Sequence, residues 1–228
     1  MRIGVLADVH GNLPALEAIL ADAGPVDGWL VAGDLVGHLP FPDEVVDVIA
    51  GLDAPCVLGN HDHALLEGLD IPGSRSGTIA IREQRSRVRP ATRAFLAALP
   101  LTCELQLGAT EILLVHGSPR DPLEERLEGL DDDLRVQLRG RLLVTGHSHR
   151  QVREPGYLNP GTVGLPSDGD PRSAYALLDA GNGDVELRRV AYDPGPCIER
   201  LEELGYDDAY ANCLRLGRWV GPTRTPTS

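Results

Sequence analysis

Three observations predict an α/β protein. Strand-length apolar runs alternate with helix-length amphipathic stretches through the first sixty residues. Apolar residues make up 42% of the 228, enough for a packed core despite only 4% aromatics. Five of the apolar runs pass directly into a tight polar cluster, as in α/β sheets whose strand ends share one site.

Ile3 to Ala7 is the first strand-like run. Asn12 can cap the helix that follows, with Pro14 in its first turn. Leu13, Leu16, Ala18, Ile19 and Leu20 give that helix an apolar face, and Gly24 and Pro25 end it. Trp29 to Ala32 reads as a second strand. Pro42 to Leu52 reads as a second helix, with Val45, Val48, Ile49 and Leu52 at helical spacing, and Cys56 to Leu58 as a third short strand. This alternation predicts parallel pairing with right-handed crossovers. The stretch from Leu69 to Arg89 opens as a loop around Pro72, Gly73, Ser74 and Gly77 and continues as a helix. Another helix runs from Ala91 to Leu99. Leu101 to Leu107 and Glu111 to Val115 form an expected hairpin with Gly108 at its turn. Asp131 to Arg139 is a helix with acidic residues at its start, favourable for the helix dipole. Leu142 to Thr145, Ala174 to Leu178 and Val185 to Tyr192 supply further strands, and helices follow Pro194. The expected organisation is one domain over residues 1–220 and a flexible tail over 221–228.

A formal charge of −13 argues against broad affinity for nucleic acid or anionic membranes, so neither is an expected partner. The apolar run after Arg2 is interrupted by Asp8 and is too short for a secretory segment, and no stretch is long enough to span a bilayer. Cys56, Cys103, Cys197 and Cys213 show no CxxC spacing. Reduced, mostly buried thiols and a cytoplasmic location are the expectation.

The polar clusters carry the chemistry. They are Asp8-Val9-His10, Gly33-Asp34, Gly59-Asn60-His61-Asp62, Val115-His116-Gly117 and Thr145-Gly146-His147-Ser148-His149, and they hold five of the seven histidines. Imidazole and carboxylate suit manganese, iron, zinc or similar divalent ions, and no thiolate sits at these positions. One carboxylate such as Asp34 can bridge two ions. Two divalent ions, Asp8, Asp34 and a bridging hydroxide leave a site charge of about +1, an electrostatic trap for a phosphate ester. The expected chemistry is in-line attack on phosphorus by hydroxide held between ions roughly 3.5–4 Å apart. A lone Asp-x-His or His-x-His is ordinarily a surface turn or a satisfied polar pair; five ordered clusters after strands are not.

These motifs resemble the ordered set of the calcineurin-like metallophosphoesterase superfamily, over residues 1 to about 192. The small bacterial and archaeal phosphodiesterase-type members are nearest. They share stretches similar to Gly33-Asp34-Leu35-Val36-Gly37, Val115-His116-Gly117-Ser118-Pro119 and Leu158-Asn159-Pro160-Gly161-Thr162-Val163-Gly164. The resemblance implies a four-layer α/β/β/α sandwich of two mixed sheets flanked by helices. It implies two divalent metal ions per chain, with manganese first and iron, zinc or nickel as alternatives. Asp8, His10 and His149 would hold one ion, Asn60, His116 and His147 the other, and Asp34 would bridge. His61 would act on the ester as the catalytic residue, with Asp62 orienting its ring. Relatives of this size often pair, so a homodimer is a further expectation.

Two positions depart from the family pattern. Gly37 and His38 stand where many superfamily phosphatases carry an Asp that partners the catalytic histidine and an Arg that grips phosphate. A diester, with less charge at phosphorus, needs an arginine clamp less than a monoester does. The expected activity is therefore a phosphodiesterase acting on a small phosphate ester. The second reading is a phosphomonoesterase acting on a nucleotide or small phosphorylated metabolite. The third is a catalytically silent scaffold, opposed by the presence of all seven ligands and His61. His38 is a candidate substrate contact, against the alternative of an exposed loop histidine, and His63 is assigned no role. Arg75, Arg82, Arg85, Arg87, Arg89 and Arg93, opposed only by Glu83, form a basic patch without interleaved aromatics beyond nearby Phe95. Arg82 and Arg85 are its candidate substrate contacts.

Overall fold

The computed structural model describes residues 1–220, so the tail expected over 221–228 lies outside the described residues. Two mixed sheets stack face to face. The first runs in the order β2 (Gly28–Val31), β1 (Arg2–Leu6), β8 (Ser173–Asp179), β9 (Asp184–Val190). The second runs β3 (Thr102–Leu107), β4 (Thr110–Val115), β5 (Leu142–Val144), β7 (Tyr157–Pro160), β6 (Gln151–Glu154). Pairing is parallel for β1–β2, β4–β5 and β5–β7 and antiparallel elsewhere.

Strand alternation divides the apolar residues among layers. Ile3, Val5, Leu30, Ala176 and Leu178 face Ile112, Leu114, Val144 and Leu158 across the inter-sheet core. The opposite face of the first sheet, with Leu6, Trp29, Val31 and Tyr175, is covered by α1 (Leu13–Ala23) and α2 (Pro42–Gly51) through Leu16, Ile19, Val45 and Ile49. The outer face of the second sheet, with Leu113, Leu143 and Tyr157, packs on Leu134 and Leu138 of α6 (Asp132–Leu138). This is the α/β/β/α sandwich. In β1 a Cβ at Gly4 would stand 2.2 Å from the Trp29 ring, so the close packing of that indole requires glycine there.

Three helices follow β2 and α2: α3 (Asn60–Glu67), which carries Asn60 and His61, α4 (Arg75–Arg87), and α5 (Pro90–Ala97), which packs on α2 and α3. The C-terminal pair, α7 (Gly195–Glu203) and α8 (Asp208–Leu216), packs on α4 through Ile198, Leu201 and Tyr210 against Ile79 and Ala80. α1 starts as its sequence predicts, with the Asn12 side chain accepting from Ala15 N at 3.2 Å. Two expectations fail. Cys56 to Leu58 is not a strand but a single parallel bridge between Cys56 and Val31, because the chain turns at once into α3. The β6–β7 hairpin was not foreseen, since β6 is a polar edge strand whose pairing supplies the order that its four residues do not encode. Cys56, Cys103, Cys197 and Cys213 are all unpaired, and only Cys103 is more than marginally exposed. Among the described residues no helix is long and apolar enough to cross a membrane.

Two devices hold the loops of the site. The segment 158–164 buckles the two sheets together: Val163 N and Gly164 N donate to Ala7 O and Asp8 O, both at 3.0 Å, and Asn159 Nδ2 donates to Gly146 O at 2.6 Å. From α4, the fully buried Gln84 accepts from Gly37 N and donates to Leu39 O, both at 2.8 Å, fixing the backbone around His38. Gln84→Leu strands both backbone groups and should lower unfolding stability by about 2 kcal/mol or more. Urea denaturation tests this, with the exposed Arg82→Ala variant as a control expected to change little.

Candidate metal centre

Asp8, His10, Asp34, Asn60, His61, His116, His147 and His149 converge where the two sheets end. All but His149 are nearly inaccessible to solvent. The backbone bends sharply to bring them there. Among the described residues eight non-glycine residues have positive φ, and six of them are Asp8, His10, Asp34, His38, His147 and His149. Each such left-handed residue costs about 1–2 kcal/mol, so the clustering marks strain concentrated at one site.

The hydrogen bonds fix which nitrogen of each ring is free. His10 Nδ1 faces Val36 O at 3.2 Å, His116 Nδ1 faces Ala32 O at 2.7 Å, His147 Nε2 faces Glu124 O at 3.1 Å and His149 Nδ1 faces Leu165 O at 3.1 Å. A carbonyl oxygen only accepts, so Nδ1 of His10, His116 and His149 carries a proton, and Nε2 of His10 and His149 keeps its lone pair, while His147 Nε2 stands between its carbonyl and the Arg126 Nε–H donor at 3.3 Å. Those lone pairs point at one another and at carboxylates. His10 Nε2 lies 3.0 Å from His149 Nε2, and His149 Nε2 lies 3.4 Å from Asp8 Oδ1. His116 Nε2 lies 3.1 Å from Asn60 Oδ1 and 3.4 Å from Asp34 Oδ2, and the same Asp34 oxygen is 3.8 Å from His10 Nε2. Acceptors at such distances repel unless a cation or proton lies between them. The residues therefore fit divalent ions, with donor atoms grouped as Asp8–His10–His149, Asp34–His116–His147 and His10–His38–His61; Asn60 lies beside the second group, and Asp34 reaches toward the first. The carbonyl partners orient the imidazoles as outer-sphere groups do in metal sites.

Charge follows the same arrangement. Burial lowers the pKa of His10, and burial followed by the neighbouring His116 brings His147 down to about 4, so both rings are neutral at pH 7. Burial also opposes a charge on His116, but the adjacent Asp34 carboxylate outweighs it and raises His116 to about 9. In the absence of an ion, a proton fills the gap between His116 and Asp34.

Asp62 is not placed to orient His61. Its Oδ1 accepts from Leu35 N and Val36 N at 2.9 and 3.1 Å, and its Oδ2 accepts from Gly59 N at 3.0 Å. It ties the loop after β2 to the first turn of α3 and makes no hydrogen bond to the His61 ring. His61 N donates to Asp34 Oδ1 at 2.8 Å, while His61 Nδ1 is buried without a partner. Gly37 explains that isolation: its φ is +90°, and a Cβ there would stand 2.4 Å from His61 Nδ1.

His38 is buried, with its ring 4.8 Å from His61 and 4.9 Å from His10, rather than exposed on a loop. The arginines between residues 75 and 93 are directed away from the cleft. Arg82 pairs with Asp70 at 2.5 Å, and Arg85 donates to Ala64 O and Leu69 O at 3.1 and 2.7 Å. Arg87 pairs with Glu83, Arg89 with Asp47, and Arg93 caps Arg85 O. Neither Arg82 nor Arg85 lines the cleft over the candidate metal centre, so their assignment as substrate contacts is corrected. The cleft encloses about 180 Å³ and is lined by Asp34, His38, His61, His147 and His149 together with Arg126 and Trp219. The last two were missed. A single Arg in an acidic loop and a Trp near the chain end follow no periodic pattern.

Residues 1–183 match the calcineurin-like phosphoesterase superfamily domain. The chain belongs to that superfamily. It is 31% identical over 242 aligned positions to the MJ0912 protein of Methanocaldococcus jannaschii, covering 95% of this chain and 98% of that one. It is 27% identical to phosphodiesterase YfcE of Escherichia coli K12, over 85% of this chain and all of YfcE. Among solved structures it resembles a metallophosphoesterase from Sphaerobacter thermophilus, with a TM-score of 0.78, 30% identity and 95% and 100% of the two chains covered. The family is one of phosphoric ester hydrolases that use divalent ions, and the buried acceptor clusters match that requirement.

Proton competition at His116 has a measurable consequence. Its proton remains bound below about pH 9, so an ion entering at pH 7 must displace it. Metal binding should release protons at pH 7, and affinity should rise with pH toward 9 and fall on acidification. Calorimetry of manganese binding in buffers of different ionisation enthalpy checks this; zero proton release would contradict it.

Proposed function

We propose that the protein is a phosphodiesterase working with two divalent ions, manganese by preference, on a small phosphate ester. The observation that supports this reading most strongly is the pair of acceptor groups, Asp8–His10–His149 and Asp34–His116–His147, joined through Asp34. Asp8, His10 and His149 would hold one ion, Asn60, His116 and His147 the second, and Asp34 both. Such ions supply positive charge to the phosphate oxygens and acidify water for attack on phosphorus.

The protein's own groups do the rest. The Asp34–His61 backbone bond presents the His61 ring at the floor of the cleft. Burial lowers the pKa of His61, so it meets the ester as a neutral imidazole that donates a hydrogen bond to a developing negative oxygen. His38, also held neutral by burial, stands where related phosphatases carry a charged arginine. Less fixed positive charge at that wall suits a singly charged diester, in line with the name of the YfcE relative. The guanidinium of Arg126 at the rim favours the second reading, a monoester, and one assay separates the two.

Metal-stripped protein supplied with manganese is expected to hydrolyse bis-p-nitrophenyl phosphate faster than p-nitrophenyl phosphate. Asp34→Ala should abolish turnover, and His61→Ala should lower kcat about 10²-fold while metal content stays unchanged. A faster monoester would transfer the assignment to a phosphomonoesterase. No turnover of either compound with two ions bound would overturn the enzymatic reading.

A further inference from the structure

The cleft is too small to explain substrate choice from within. Ligand pockets that engulf a drug-sized molecule run to about 300–1,000 Å³. At about 180 Å³, this one takes in a phosphate group and leaves the remainder of the ester at the rim. Two residues without a role so far stand there, Arg126 and Trp219.

Arg126 is held by a built support. It lies between two anchored neighbours on the loop joining β4 to α6. Glu125 receives a hydrogen bond from buried Ser118 and two from Arg120, at 3.0 and 2.6 Å, and Arg120 also pairs with Asp131 at 2.7 Å. Leu127 is buried, and its carbonyl accepts from Tyr157 Oη at 3.2 Å. The Arg126 side chain reaches back over the site until its Nε is 3.3 Å from His147 Nε2. Among the described residues it makes no ion pair with a carboxylate, on a chain with 34 acidic residues. A guanidinium so placed presents donors toward an anion seated over the metal centre.

Trp219 is fixed as firmly on the other side. Its ring meets Tyr210 edge-on, with centroids 5.2 Å apart and planes at 82°, and Tyr210 Oη donates to Ser76 O at 2.9 Å. It stands 5.7 Å from the His38 ring. Only two tryptophans occur in the chain, and the other, Trp29, is buried over Gly4 in the core. A half-exposed indole braced edge-on by Tyr210 at the mouth of a phosphate site is a stacking surface for a flat ring.

Resting on the phosphoesterase reading above, we infer that the cleft selects esters of nucleotide type: Arg126 binds a phosphate oxygen, and Trp219 stacks the planar base beyond it. Phosphate is read at one rim and aromaticity at the other.

The test measures binding in the manganese-loaded His61→Ala background, where the probe is consumed about 10²-fold more slowly, over times short against that residual turnover. AMP should quench much of the tryptophan emission and bind about tenfold or more tightly than ribose 5-phosphate, which lacks the base. Trp219→Leu should remove that difference while leaving ribose 5-phosphate affinity within about twofold, and Trp219→Phe should retain most of it. Arg126→Gln should weaken both probes by about the same factor, near tenfold. Equal affinity for AMP and ribose 5-phosphate in a protein whose His61 form hydrolyses bis-p-nitrophenyl phosphate would overturn the inference and leave the phosphoesterase standing. Equal loss of both probes in Trp219→Leu would also overturn it, reducing Trp219 to a structural plug. AMP stacked on Trp219 in a protein that hydrolyses no ester would retain the stacking and remove the catalytic reading instead.

Discussion

At the centre of this fold, lone pairs are held against their mutual repulsion. His10 and His149 place acceptor nitrogens 3.0 Å apart, and His116 faces both Asn60 and Asp34, all nearly excluded from water. Such an arrangement persists because each ring is fastened from behind by a backbone carbonyl and because six residues accept left-handed backbone geometry to reach it. The segment 158–164, Gln84 and Asp62 act on those same loops: one buckles the sheets, one clamps the turn around His38, and one ties the β2 loop to α3. The surrounding structure offsets strain that a bound cation would relieve.

The site was legible in the sequence because its signal is local and ordered. Strand, then Asp-x-His or Gly-Asp or Gly-His-x-His, can be read without knowing how the sheets stack, and the α/β/β/α layers followed from the resemblance those motifs carried. What was not legible depends on tertiary contacts. Asp62 sits next to His61 in sequence, yet the helix places its oxygens on three backbone amides rather than on the imidazole ring. The arginines from 75 to 93 look like a basic surface when counted. Asp70, Asp43 and Asp47, brought in from other segments, neutralise much of it. The β6–β7 hairpin has too few apolar residues to announce itself and exists because β5 offers an edge to pair with.

Charge illustrates the difference between a chain and a site. The protein carries −13 overall, but the charged side chains lining the cleft are one carboxylate, Asp34, and one guanidinium, Arg126, set among histidines. An acidic exterior discourages polyanions, while the small cleft carries a guanidinium, and divalent ions bound beneath it would supply the further positive charge that one phosphate group needs. Gly37 and His38 shape the same wall: a Cβ at 37 would push into His61, and the His38 ring packs 4.8 Å from the His61 ring.

The most direct measurement is anomalous diffraction at the manganese edge from crystals of the metal-loaded protein. Two peaks per chain, one among Asp8, His10 and His149 and one among Asn60, His116 and His147, with Asp34 in contact with both, are the predicted result. A single peak, or one seated instead among His10, His38 and His61, whose nitrogens also lie within 4.8 Å of one another, would contradict the account.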